Sequence, residues 1–377
     1  MSRSPAPTPC ATRHAVILAA GESKRTRPLT SHRPKPLIPL LGRPLLAHIL
    51  DELVGLVDRV TLVVGYRADE IQLAFGESYR GVALRYVLQE QVNGTAGALL
   101  AVGQIAEPFF LLYGDNLIAH ADVLGVCAQL PSLAGMRVED ARPFGVLQVA
   151  DGRVLGIIEK PADPPPDALA NPGIYHLDEA AFPALARIAP SPRGEYELTD
   201  LVGMLAAERR VGYHICTGFW VPVGTPWEAL SAAQFLIARR AGLREQISPT
   251  AQIGAGSQVV GPVVIGAGCL IGAGCLIEGS CLEPGAIVGD GAVVRHSAVG
   301  AGARVGAGCV VESSWLDDGA TVGDGASLRA RIFGELRPTA DTAGLLSREI
   351  LCTRGAVLGR GAVVAAGAQV EPGSIIT

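Results

Sequence analysis

Residues 18–36 read LAAGESKRTRPLTSHRPKP, with Gly21 followed by Lys24, Arg25, Arg27 and Lys35 among small polar residues. Backbone amides of a glycine-containing turn face phosphate oxygens, and guanidinium and ammonium groups neutralise them. Pro28, Pro34 and Pro36 stiffen the stretch, which lowers the entropy lost when a ligand orders it. It is neither a P-loop nor a dinucleotide fingerprint, because the Gly-Lys-Ser/Thr and Gly-x-Gly-x-x-Gly spacings are missing. The bland reading is a solvated basic loop. Three further sites carry chemistry. Gln89 in QEQVNGTAGA offers a donor and an acceptor to a base edge, with Gly94 allowing close approach, or the segment is an ordinary turn capped at Thr95. Asp115 in FFLLYGDN suits magnesium, or it caps the next turn. Glu159-Lys160 ends a strand as a charged pair, which on the bland reading bridges on the surface.

These residues need elements to hold them at one edge. His14–Leu18, Val60–Val64 and Leu84–Leu88 are short apolar runs that predict buried parallel strands. Pro44–Leu53 and Asp69–Phe75 carry helical spacing, and Gly94-Thr95 opens another helix. Strand and helix alternate with short connections, so a doubly wound mixed or parallel sheet is expected, with ligands beyond the carboxyl ends of its strands. Phe144–Val149 and Val154–Glu159 predict a hairpin through Asp151-Gly152. Trp227–Arg240 predicts a closing helix.

At 377 residues two or three domains are expected. The net charge of −5 gives no reason to expect nucleic acid as a partner. No apolar run reaches ~18 residues, so no membrane span is expected. Residues 1–13 lack an apolar core and read as a disordered lead-in. Eight cysteines without a Cys-x-x-Cys pair read as reduced, mostly buried residues of a cytoplasmic protein.

LAAG-x-x-x-R-x-R-P-L-T followed by P-K-P-L resembles the signature of the sugar-phosphate nucleotidylyltransferases. The resemblance extends over residues 14–240 and implies a Rossmann-like domain that joins a nucleoside triphosphate to a sugar 1-phosphate. It implies that Arg25 and Lys35 hold the triphosphate, near Ala20 and Gly21. It also implies that Gln89, Gly94 and Thr95 bind the base, where a Gln is typical of relatives using UTP or dTTP. Asp115 takes the place of a Mg2+ ligand. Lys160 matches a lysine on the sugar's phosphate, and Glu159, Gly145, Asn171, Gly173 and Glu195 match sugar-binding positions. This chain departs from the family at three positions. Ser23 replaces a usual Gly, Lys24 a frequent Thr, and Pro222 an Asp that is commonly the second magnesium ligand.

From Ile253 aliphatic residues recur every six positions, the mark of a parallel β-helix of hexapeptide repeats. Five-residue units starting at Ile277, Val294 and Val311 shorten the coil to 17 residues and align Cys275, Ala292, Cys309 and Ala326 at one corner. The domains are therefore expected at 14–240 and 251–377, joined by a linker at 241–250, with the repeats interrupted at 333–354. The fusion resembles nucleotidylyltransferases with a left-handed β-helical tail, some of which acetylate. Only His296 lies in the repeats, so assembly into a homo-oligomer is expected in place of acyl transfer. The expected activity is synthesis of a nucleotide sugar from dTTP or UTP and glucose 1-phosphate. The alternatives are a mannose-1-phosphate guanylyltransferase, and a regulatory or assembly subunit of the same fold with weakened catalysis.

Overall fold

A computed structural model describes residues 10–192, 194–239, 246–333 and 352–377. The expected lead-in over 1–9, the start of the linker at 240–245 and the interruption over 334–351 lie outside the described residues. Two compact units divide the chain, Met1–Glu22 with Leu46–Trp220 and Ser23–Leu45 with Val221–Thr377.

The first unit is built on an eleven-stranded mixed sheet. Besides shorter helices at Leu45–Asp51, His120–Gly125 and Ala181–Leu185, its main strands and helices in chain order are β1 (His14–Ala19), β2 (Arg59–Val64), α1 (Ala68–Phe75), β3 (Val82–Leu88), α2 (Thr95–Val102), β4 (Phe109–Tyr113), β5 (Ser132–Arg137), β6 (Gly145–Ala150), β7 (Arg153–Glu159), β8 (Leu169–Ala170), β9 (Ile174–Leu177), α3 (Leu198–Glu208) and β10 (Gly212–Ile215). Across the sheet the order is β7-β6-β8-β5-β9-β4-β1-β2-β3, with a short edge strand Ser78–Tyr79 and β10 beside β5. The four strands β4, β1, β2 and β3 run parallel. β4, β1 and β2 are covered on both faces, which is why they read as continuous apolar runs: Val16, Ile17, Leu111 and Leu112 have no exposed surface, whereas β3, beside the short edge strand, alternates buried and exposed residues. Burial of each such side chain is worth roughly 1.5–3 kcal/mol. β6 and β7 form the expected hairpin. Asp151 (φ 49°) and Gly152 (φ 67°) both take the left-handed conformation that a tight two-residue connection needs.

One expectation fails in this unit. Cys10 and Cys127 form a disulfide, with Cα atoms 5.8 Å apart, so the eight cysteines are not all thiols. The partners are 117 residues apart and no spacing rule connects them. The six other cysteines are buried and outside any disulfide.

The second unit contains the left-handed parallel β-helix, helix α4 (Pro226–Arg239) and the segment Ser23–Leu45. Three parallel sheets of seven, six and five strands form the sides of the coil. Val264 pairs with Cys281, Cys281 with Ala298 and Ala298 with Trp315, so each coil advances 17 residues as expected. The first coil is one residue longer, since Gln246 pairs with Val264. Cys275, Ala292, Cys309 and Ala326 are all buried at one corner. At another corner Ser280, Ser297 and Ser314 form a ladder in which each hydroxyl accepts from the next coil's amide at 2.9–3.1 Å. Glu278, Arg295 and Glu312 stack in register with alternating charge, and Arg295 Nε lies 3.0 Å from Glu278. Opposite charges on neighbouring strands each contribute ~0.2–1 kcal/mol. The strands Arg331–Ile332 and Thr353–Arg354 pair antiparallel, and the coil then resumes in register with Trp315 opposite Val357.

Candidate active site

In the first unit the carboxyl ends of four parallel strands open on one edge. Asp115 follows β4, Ala20 and Gly21 follow β1, and Gln89 follows β3. The connections interlock: Gly114 N–H donates to Leu18 O at 2.9 Å, Tyr66 N–H to Ala20 O at 3.2 Å and Gln89 N–H to Val64 O at 2.8 Å. Asp115 is half-buried there, while Gly21 is exposed.

At one end of this edge Gln89 is 5% exposed. Its Nε2 donates to Asn93 Oδ1 at 3.1 Å and to Gly94 O at 3.2 Å. The carbonyl of Gly94 settles the orientation of the amide, since a flipped amide would set two acceptors face to face. Oε1 is thereby left as the acceptor facing away from this turn. Gly94 has φ 104°, ψ 176° and starts α2. The segment is laced to the stretch before α3. Tyr196 N–H donates to Asn93 O at 2.7 Å and Ala96 N–H to Tyr196 O at 2.9 Å. The Thr95 hydroxyl accepts from Leu198 N–H at 3.1 Å, so it caps α3 from outside that helix and not the turn it begins. Glu195 lies against Gly94 and is itself exposed.

Toward the other end β9 runs antiparallel to β4, which brings Asn171 and Gly173 beside the end of β4. Asn171 Nδ2 donates to Tyr175 Oη at 2.6 Å, and its Oδ1 accepts from Gly173 N–H at 3.0 Å. Tyr175 Oη lies 3.1 Å from Tyr113 Oη. Burial pushes the Tyr175 hydroxyl up to about 12. Burial, then the neighbouring Tyr175, pushes Tyr113 well above the ordinary tyrosine value. Both therefore stay neutral donors at physiological pH. Gly145, at the start of β6, is continuous with this cluster: Asn171 N–H donates to Gly145 O at 2.8 Å, and Gly145 pairs with Glu159. The Glu159 carboxylate sits over Gly145. Lys160 Nζ lies 3.5 Å from Glu159 Oε1, both on the surface, so the pair does bridge as the bland reading held.

Arg25, Lys35 and Pro222 belong to the second unit. Lys24–Thr26 and Lys35–Leu37 are single turns of 3-10 helix. Arg25 is exposed, and Lys35 is 7% exposed. Ser23 adopts φ 56°, ψ 46°, the left-handed conformation for which glycine is the natural residue. Its carbonyl accepts from the Thr30 hydroxyl at 3.0 Å, which helps hold the turn. A left-handed non-glycine residue costs roughly 1–2 kcal/mol. Ser23→Gly is therefore expected to raise stability by about 1 kcal/mol in chemical denaturation, with the loop unchanged. The Thr26 hydroxyl donates to Gly224 O at 3.0 Å. Beside Pro222, Thr225, Pro226 and Glu228 make a capping box on α4. Gly224 N–H donates to Glu228 Oε2 at 2.9 Å and Glu228 N–H to Thr225 Oγ1 at 3.3 Å. Among the described residues no group of three His, Cys, Asp or Glu side chains could hold a metal.

Tyr113, Tyr175 and Asn93 escaped the sequence reading. The spacing Asn171-x-x-x-Tyr175, with a tyrosine just before the Gly-Asp of β4, is the signal that could have found the tyrosine pair.

The Nucleotidyl transferase family model matches residues 14–239, and a GMPPB C-terminal domain model matches 244–336. The chain belongs to the nucleotidyl transferase family. It is 36% identical over 278 residues to the glucose-1-phosphate thymidylyltransferase of Streptomyces griseus, covering 67% of this chain and 78% of that protein. It is 36% identical over 233 residues to the UTP–glucose-1-phosphate uridylyltransferase AglF of Haloferax volcanii, covering 59% and 96%. It is 34% identical over 220 residues to the bifunctional protein GlmU of Methanococcus maripaludis, covering 58% of this chain. The chain spans about half the length of the GlmU relatives, 53% in that case. No helix among the described residues is long and apolar enough to cross a membrane.

Proposed function

We propose that this chain is a sugar-1-phosphate nucleotidylyltransferase that makes a nucleotide sugar from dTTP or UTP and glucose 1-phosphate. A phosphate oxygen of the sugar phosphate forms a bond to the α-phosphorus, the bond to the bridging oxygen breaks, and pyrophosphate leaves with the electron pair. Positioning and charge stabilisation carry such a reaction without a covalent intermediate. Arg25 and Lys35 stabilise the leaving pyrophosphate. Lys160 positions the attacking phosphate. Gly145, Glu159, Asn171, Gly173 and Glu195 hold the sugar, and Ala20, Gly21, Gly94 and Thr95 line the nucleotide. The residues fit a magnesium ion that arrives with the triphosphate, because Asp115 offers one carboxylate where Pro222 offers none, and magnesium binds readily through one carboxylate plus phosphates and water. That ion neutralises charge on the phosphates. Glu228 is engaged in the α4 cap, which argues against its replacing the lost ligand.

The observation that carries the base choice is the buried Gln89, whose Nε2 is spent on Asn93 and Gly94. Its remaining Oε1 accepts, and uracil and thymine present an N3–H donor where adenine presents an acceptor. The names of the Streptomyces and Haloferax relatives support glucose 1-phosphate with dTTP or UTP. The GMPPB match favours the mannose alternative, but it falls on the β-helix and not on the base segment. Calorimetry is expected to find dTTP or UTP bound at least about tenfold more tightly than ATP, the worth of ~1–3 kcal/mol for a buried hydrogen bond, and more tightly than GTP, against which the relatives' names carry the choice because guanine N1–H also meets an acceptor. GTP as the tightest ligand overturns the choice. Exposed Ile253, Leu270 and Val363 on the six-stranded side of the β-helix support a homo-oligomer, and the triphosphate substrate supports a cytoplasmic setting.

A further inference from the structure

The second unit joins the loop that carries Arg25 and Lys35 to one corner of the β-helix. Position 283 and position 317 lie at that corner two coils apart, each just after a strand of the seven-stranded side. Glu283 Oε1 accepts from Gly42 N–H at 2.7 Å. Asp317 Oδ1 accepts from Arg33 at 2.9 Å and Asp318 accepts from the other guanidinium nitrogen at 2.5 Å. One coil further on, Gly359 packs against Pro28. The Arg33 and Asp317 side chains are 11% and 2% exposed, so this pair is screened little by salt. Asp318 also accepts from Ala301 N–H at 3.1 Å, which fixes its carboxylate to the coil below.

The polar bonds from Glu283, Asp317 and Asp318 fix this part of the loop on the coil. Arg33 stands two residues before Lys35, with only Pro34 between them, and proline fixes the intervening backbone. A displacement of Arg33 is passed to Lys35 with little loss.

We infer that Asp317 and Asp318 of the β-helix are positioning residues for triphosphate binding, acting through Arg33 to set where Lys35 stands. This rests on the nucleotidylyltransferase reading above. It gives the β-helix a part in each subunit's own site, separate from any part in assembly.

The test is calorimetric titration of the full-length chain with dTTP, UTP and inorganic tripolyphosphate in the presence of magnesium. Arg33→Met and Asp317→Asn are each expected to weaken the dTTP or UTP complex at least tenfold. The double variant should be no weaker than Arg33→Met alone, because the two residues act as one unit. Tripolyphosphate should lose as large a factor as the nucleotide, since the loop is argued to hold phosphates and not the base. Arg33→Lys should recover part of the affinity. Should Arg33→Met fail to fold, Asp318→Asn, which keeps its bond to Ala301, is expected to weaken binding severalfold. Variants that lose thermal stability but bind nucleotide like the parent overturn the inference alone. A parent chain that binds no triphosphate overturns it together with the nucleotidylyltransferase reading.

Discussion

Asp115→Asn is expected to lower turnover by about 10³-fold, roughly 4 kcal/mol of transition-state stabilisation. The substitution keeps the size and the half-buried setting of the side chain at the end of β4, so the fold should stand. What is lost is the one carboxylate assigned to the magnesium ion. The size of the effect follows from Pro222, which supplies no second carboxylate to compensate. The parent is accordingly expected to hold magnesium weakly alone and well with triphosphate. Pro222→Asp should tighten magnesium binding. Steady-state kinetics with a magnesium titration measures all three. A variant that turns over at the parent rate contradicts the role of Asp115 and favours a regulatory or assembly subunit.

Gly94→Ala is expected to damage both stability and nucleotide binding. Gly94 has φ 104° and ψ 176°, a region that is essentially glycine-only, and forcing another residue there costs on the order of 1–3 kcal/mol. Space is also lacking, because a Cβ would stand 2.4 Å from Tyr196 O and 2.8 Å from Tyr196 N. Relief requires parting the Gln89–Gly94 turn from the stretch that begins α3. That would break the bonds Tyr196–Asn93 and Ala96–Tyr196 and free the Gln89 amide. Urea denaturation should show the stability loss, and titration with dTTP or UTP a weaker complex. An alanine variant as stable as the parent and equally tight would show that this backbone is not what fixes the base segment.

Local signals in the sequence carried most of the architecture. Short apolar runs marked β1, β2 and β3, Asp151-Gly152 marked the hairpin, and the 17-residue recurrence marked the coil. Each depends on neighbours along the chain, where period and turn chemistry are legible. The misses are long-range partnerships. Arg33 meets Asp317 across 284 residues, Cys10 meets Cys127 across 117, and the Thr95 hydroxyl caps a helix 103 residues away. No periodicity encodes such pairs. The segment Ser23–Leu45 read as part of the first domain because it follows β1 directly, yet it is grouped with the β-helix. The strain at Ser23 was half legible: the departure from glycine was visible, while the left-handed backbone that gives it a cost was not.

The most direct test of the central claim is pyrophosphate release by the intact chain over a matrix of triphosphates and sugar 1-phosphates with magnesium. dTTP or UTP with glucose 1-phosphate is expected to give the fastest release. Release that is fastest with GTP and mannose 1-phosphate would contradict the substrate assignment, and a matrix with no release in any pair would contradict the enzyme itself.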